Sequence, residues 1–380
     1  MSFEPDSLVI AGAGFSFNAG LPLASDFTQK LLSKKNINKT GPSVALINFL
    51  NRFVNTIFDE GNDILPNEWP ELEDLFTLID LAANSGHHLG PKYSASELRV
   101  VRRSVIVRMI RMLDQTYKLQ QKKMGSQWKL LESFFSHYNT NSSAVLSLNW
   151  DVVFERGISR TQNIIDVDYG CSARACRFHN NDLIEKKTIS SKNIKLLKPH
   201  GSVNWLYCDT CRELFWVSPS STIKVAQTLF KDKDWNTVGP DVLYDSDIVS
   251  LSPTCPACHA DALGTRFATF SYRKALDFPM HSSTWRTAEK YLKSADHWVF
   301  FGYSMPAADF EFKSLLKRVQ LSKKEKPRIS VITGGCQADE TQKRYEKFFG
   351  KSHKKNKYFT EGLNDEVLTH LRELGVLREN

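Results

Sequence analysis

Short apolar runs ending in polar or glycine-rich turns alternate along this chain with stretches whose apolar residues recur about every 3.6 positions. Leu8 to Ala11 is the first run; it breaks into Gly12-Ala13-Gly14-Phe15-Ser16, and a helical pattern then reaches about Leu32 past Gly20-Leu21-Pro22. Helical spacing dominates residues 42 to 139. Leu46, Phe49, Leu50, Phe53 and Ile57 make one stripe, and Leu75, Leu78, Ile79 and Ala82 make another. Val100, Val101, Ser104, Val105 and Arg108 open a third helix running to about Lys122, with Pro66, Pro70 and Gly90-Pro91 as punctuation. Strands resume at Ala144 to Leu148 and Ile194 to Leu197, with a helix opening at Asp151. From 208 to 258 the pattern dissolves into turns and short apolar runs. Beyond it come a strand near Phe267 to Phe270, a helix over Ser283 to Lys293, and a strongly apolar strand from Trp298 to Gly302. Helix Ala307 to Val319, strand Ile329 to Ile332, and helices Ala338 to Phe348 and Leu363 to Leu374 complete the series. Strands and helices alternating at these lengths predict an α/β protein with a parallel sheet covered on both faces.

At 380 residues, 41% of them hydrophobic, the chain can bury a large core and fill about two to three domains. The net charge of +8 is partly concentrated in Lys351-Ser352-His353-Lys354-Lys355-Asn356-Lys357. No aromatic residues interleave with those lysines, so a solvated loop is the better reading than a nucleic-acid stripe. No apolar run approaches the roughly 18 residues of a membrane span, and Glu4 and Asp6 stand where a secretory signal would be basic. Seven cysteines, four of them in two C-x-x-C pairs, make a poor disulfide framework and fit a reducing interior. The expectation is a cytoplasmic protein without membrane association.

Three constellations carry chemistry. The strand–glycine–helix start is a shape that cradles a pyrophosphate, because glycines admit close approach and helix-start amides face negative charge; the same turn also serves packing alone. Cys208, Cys211, Cys255 and Cys258 have the spacing of a tetrahedral zinc site with no open coordination position, hence a structural ion. Cys171 and Cys176 with His179 make a weaker second candidate, and His87-His88 reads as a polar helix end. Ser147-Leu148-Asn149-Trp150-Asp151 ends a strand where such sheets bind ligands. Asn149 can hydrogen-bond a ring or ribose, and Asp151 offers a carboxylate or simply caps the helix behind it. In Lys198-Pro199-His200-Gly201-Ser202 the histidine is either structural or a base.

Taken in order, G-A-G-x-S, S-L-N-W-D, H-G, the two C-x-x-C pairs and F-G-Y-S resemble the sirtuin superfamily over roughly residues 7 to 335. That family carries G-A-G-x-S, T-Q-N-I-D, H-G, zinc cysteines and a G-[TS]-S strand end. The resemblance implies a Rossmann-like, doubly wound NAD-binding domain of residues 1–207 and 259–380, with 42–139 as a helical insertion and 208–258 as a small zinc-bearing lobe. Gly12, Ala13, Gly14 and Ser16 would wrap the pyrophosphate. Asn149 and Asp151 would surround the nicotinamide and its ribose, and His200 would be the base on a ribose hydroxyl. Gly302 and Ser304 would face the phosphates or adenosine ribose, with Thr333-Gly334 near the adenosine.

Departures point to one branch. Sirtuin deacylases carry P-D-F-R after the glycine loop and F-G-E after the second cysteine pair. This chain has Pro22-Leu23-Ala24-Ser25-Asp26-Phe27 and Ala268-Thr269-Phe270-Ser271-Tyr272-Arg273 instead. Phe301-Gly302-Tyr303-Ser304-Met305-Pro306-Ala307-Ala308-Asp309 is similar to the G-Y-S-x-P-x-x-D signature of prokaryotic sirtuin-like effectors, as is Glu71-Leu72-Glu73-Asp74-Leu75. That branch hydrolyses NAD to nicotinamide and ADP-ribose as an antiphage defence. The resemblance further implies self-assembly into a homo-oligomer or a hexameric DNA-translocase ATPase partner of the HerA type, with DNA acting only indirectly. Activity is then expected once the 42–139 insertion is ordered over the pocket. A protein deacylase or ADP-ribosyltransferase, and a non-enzymatic nucleotide-sensing scaffold, are the competing readings.

Overall fold

A computed structural model describes residues 3–35, 37, 41–59, 68–186, 192–239, 250–265, 279–307, 309–350 and 356–379. Its first half holds β1 (Ser7–Ala11), α1 (Ala13–Phe17), α2 (Ala24–Leu32), α3 (Pro42–Phe58), α4 (Leu72–Ser85), α5 (Ala95–Lys123), α6 (Ser126–His137), β2 (Ser143–Ser147), α7 (Val153–Gln162) and β3 (Asp166–Asp168). Then follow β4 (Ala173–His179), β5 (Asp182–Glu185), β6 (Asn193–Leu197), β7 (Trp205–Cys208), β8 (Leu214–Val217), α8 (Thr222–Leu229), α9 (Asp232–Val238) and β9 (Leu263–Gly264). The chain closes with α10 (Pro279–Ser294), β10 (His297–Phe301), α11 (Phe310–Ser322), β11 (Arg328–Ile332), α12 (Ala338–Phe349), β12 (Lys357–Phe359) and α13 (Asp365–Glu373).

Seven strands pair in the order β12-β11-β10-β1-β2-β6-β3, every pair parallel. Burial on both faces explains why the central strands read as apolar runs rather than alternating ones. Successive residues enter different cores. Leu8 and Ile10 join Trp298, Phe300, Ala288 and Leu292 on one face, while Val9, Ala11, Val145 and Val299 join Phe15, Phe134 and Phe154 on the other. Helices therefore cover both faces, giving a mixed α/β, Rossmann-like architecture. The chain builds outward from β1 through β2, then returns to β10 on β1's other side, so the β1–β10 crevice is the topological switch point.

The insertion is helical as expected, with α3, α4, α5 and α6 between residues 42 and 137. Its longest member, α5, starts on a capping box in which the Ser94 hydroxyl and the Glu97 carboxylate satisfy each other's backbone amides. The helical pattern expected up to Leu32 is interrupted. Gly20, at φ +79°, and Pro22 force a turn between α1 and α2.

The small lobe departs further from expectation. Its five-stranded sheet, β5-β4-β8-β7-β9, takes β4 and β5 from residues 173–185, well before position 208, and the stretch expected to be mere turns also holds α8 and α9. Short, half-exposed strands such as β4 and β5 carry too few buried residues for periodicity to show. The strand expected near Phe267 to Phe270, Pro66, Lys351 to Lys355 and Ala308 lie outside the described residues, and the helix anticipated from Ala307 begins at Phe310. No helix among the described residues is long and apolar enough to cross a membrane.

Candidate functional site

Because the main sheet is parallel throughout, the turns after β1, β2, β6, β10 and β11 all lie along its carboxyl edge. Gly12 to Ser16, Asn149 to Asp151, His200, Gly302 to Ser304 and Thr333 are thereby brought to one side of the molecule. At the switch point the turns after β1 and β10 interlock. The Gly12 amide donates to the Phe301 carbonyl (3.0 Å) and the Gly14 amide to the Gly302 carbonyl (2.9 Å). These two amides hold the turns together rather than lying free as the sequence suggested. A Cβ on Gly302 would stand 2.2 Å from the Phe15 nitrogen, at a φ of +66°. Gly302→Ala should therefore cost about 3–5 kcal/mol from strain and overpacking, read as a fall in the urea midpoint. Phe15 anchors the loop from below. Its ring stacks on Phe154 at 4.6 Å and meets Phe301 edge-on at 4.9 Å.

Beside this turn three side chains form one connected cluster. Asn149 Nδ2 donates to the Gly12 carbonyl (2.8 Å) and to Ser16 Oγ (2.9 Å), and Ser16 Oγ donates to Asp151 Oδ2 (2.7 Å). Asp151 Oδ1 accepts from the Val153 amide two residues on (2.9 Å) at the entry to α7, whose N-cap is Val152, while Oδ2 faces Ser16. Asn149 and Asp151 are half-buried, and Ser16 is buried.

His200 follows β6, the neighbour of β2. Its Nδ1 lies 3.2 Å from the Leu148 carbonyl, and its ring centre is 6.2 Å from that of Trp285. Because a carbonyl only accepts, Nδ1 is the donor of this contact. The signature after β10 builds a rigid turn: Tyr303, buried, donates its hydroxyl to Asp309 Oδ2 (3.2 Å), and Tyr345 donates to the Tyr303 carbonyl (2.7 Å). Ser304 is exposed at its tip. Thr333 is half-buried, and its carbonyl accepts from the Gly362 amide at 2.7 Å.

Helix α5 of the insertion packs beside Asp151. Leu21, Ile110, Leu113, Asp114, Tyr117 and Asp151 line a cavity of about 10 Å³, room for about one water. Arg156 of α7 secures the contact. It pairs with Asp114 of α5, lies 4.7 Å from the Tyr117 ring centre, and donates to the Pro219 carbonyl in the small lobe at 2.9 Å. Arg156 and Asp114 gave no signal in the sequence, since only the fold makes positions so far apart into neighbours.

The cysteine quartet comes together as its spacing predicts. Cys208 and Cys258 sulfurs are 3.6 Å apart, Cys211 and Cys255 sulfurs 3.7 Å, and all four lie within 4.8 Å. A tetrahedron with metal–sulfur bonds of about 2.3 Å has edges of about 3.8 Å, so the set fits a metal such as zinc. The two pairs are built alike. Arg212 and His259 sit at φ +62° and +61°, and their amides donate to the carbonyls of Cys208 and Cys255, each at 2.9 Å. Burial pushes the Cys208 thiol up, but amides of Cys211 and Thr210 outweigh it and bring the group to about 7.

Other constellations are structural. Cys171 and Cys176 have thiols pushed up by burial, and among the described residues only the quartet groups three or more ligands. Ser330, His370 and Glu373 form a hydrogen-bonded series (2.8 and 3.3 Å), yet Ser330 lies mid-strand and buried, where no substrate reaches its hydroxyl.

A scan against protein-family models finds no match for this chain, and a search of curated proteins finds none either.

Proposed function

We propose that the protein is a sirtuin-like NAD hydrolase that cleaves the nicotinamide glycosidic bond, releasing nicotinamide and ADP-ribose. The observation that carries this reading is the connected cluster of Asn149, Ser16 and Asp151 beside the glycine turn at the sheet's switch point. Breaking that bond builds positive oxocarbenium character on the ribose. A carboxylate and an amide oxygen held in fixed positions stabilise such charge without reorganising. His200, one strand away, takes up a ribose hydroxyl proton. Water then adds to the ribose carbon and loses one proton to solvent, while His200 returns its proton to the ribose hydroxyl as ADP-ribose forms.

Regulation by self-assembly or by a DNA-translocase ATPase belongs to the same reading, as does NAD depletion in an infected cell. The four cysteines take every position of a tetrahedral ion, so zinc there holds the lobe and leaves no site for substrate.

Product analysis separates hydrolysis from deacylation. With NAD and an acetylated-lysine peptide, ADP-ribose is the expected product, nicotinamide release is unchanged by the peptide, and the peptide stays acetylated. Acetyl-ADP-ribose formed only with peptide would reverse the reading. The segment 268–273, which replaces the family's peptide clamp, lies outside the described residues.

A further inference from the structure

Lys198 is 1% exposed, and its charge has no water to solvate it. Its three N–H donors have three partners, on the turn after β2, on α7 and on the turn after β6: the Asp151 carbonyl, Glu155 Oε1 at 3.2 Å and Ser202 Oγ at 2.7 Å. Around it the same two turns are stitched again. The Val203 amide donates to the Trp150 carbonyl at 2.9 Å, and Ser202 Oγ reaches that carbonyl at 3.4 Å. Glu155, 3% exposed, is the counter-ion, and Tyr169 donates to the same Oε1 at 3.2 Å. Burying such a pair contributes little to stability that an apolar pair of similar volume would not match. What an apolar pair cannot do is bind three separate oxygens at fixed places.

We propose that Lys198 is a positioning residue: its buried ammonium ties the turn carrying Asn149 and Asp151 to the turn carrying His200, so that the groups on both turns act on one ligand. This rests on the reading that the two turns share a site. Removing the clamp lets the Asp151 carbonyl drift, and a displacement of about 1 Å at reacting groups costs on the order of 100-fold in rate.

The test uses the full chain with Lys198→Met combined with Glu155→Leu, which removes both charges together and leaves neither buried alone. The variant should fold with a Tm near wild type while kcat for nicotinamide release falls about 100-fold and the KM for NAD stays within about three-fold. Ser202→Ala, a smaller change that removes one partner, should lower kcat about ten-fold at unchanged KM if the double variant does not fold. A purely structural pair would leave kcat unchanged in folded variants, and that result overturns the proposal. Amide exchange reads the clamp independently of chemistry. Exchange at Val203 should accelerate at least ten-fold in the folded variants, and unchanged protection likewise overturns the proposal. If wild type releases no nicotinamide, the functional reading fails, and the exchange result alone decides the clamp.

Discussion

Cys255→Ser should yield little soluble, folded protein, and stripping the metal from wild type with a strong chelator should do the same. Cys208 and Cys255 are fully buried, so losing the ion would leave thiolates that must take up protons and crowd together in the core with no metal bonds between them. Structural zinc supplies on the order of 10 kcal/mol to small modules, comparable to the whole stability of a domain. The loss would not stay local. Cys208 ends β7, whose Trp205 meets Tyr169 edge-on at 5.0 Å, and Tyr169 in turn reaches Glu155 behind Asp151. Metal analysis should find about one zinc per chain. Well-folded wild type with no zinc would contradict this account.

His200→Ala should lower NAD cleavage by about 10²–10⁴-fold, the usual cost of a missing general base. The imidazole is 6% exposed and held to the Leu148 carbonyl, so its removal also leaves a small void and a modest loss of stability. A thermal melt separates the two effects. Activity lost at a temperature well below the variant's Tm is chemical, whereas activity that recovers on cooling is structural. A rate close to wild type would assign His200 to packing.

The central strands that position the site, β1, β2 and β10, were readable because they are buried on both faces and so appear as apolar runs. Their turns were readable because Gly12, Gly14 and Gly302 meet backbone to backbone, an approach that only glycine permits. The cysteine quartet was legible from spacing alone, since a chelate of two C-x-x-C pairs is a local feature twice over. What escaped reading was non-local or weakly patterned. Strands β4 and β5 are half-exposed and charged. The contact of α5 with Asp151 joins residues far apart in sequence, as does the pairing of Lys198 with Glu155 across the main sheet's edge. Asp151 shows the limit of reading residues singly, because one carboxylate both accepts from the Val153 amide and faces Ser16.

The most direct test of the central claim is nicotinamide release from NAD by wild type and by Asn149→Ala, each assayed alone and with assembled partner. The side chain of Asn149 is half-buried at the strand end, and its loss removes two hydrogen bonds of the glycine turn without opening the core. Wild type should release nicotinamide with ADP-ribose as co-product, and the folded variant should lose at least 100-fold. No NAD conversion by wild type under any of these conditions, or equal rates in wild type and variant, would contradict that claim.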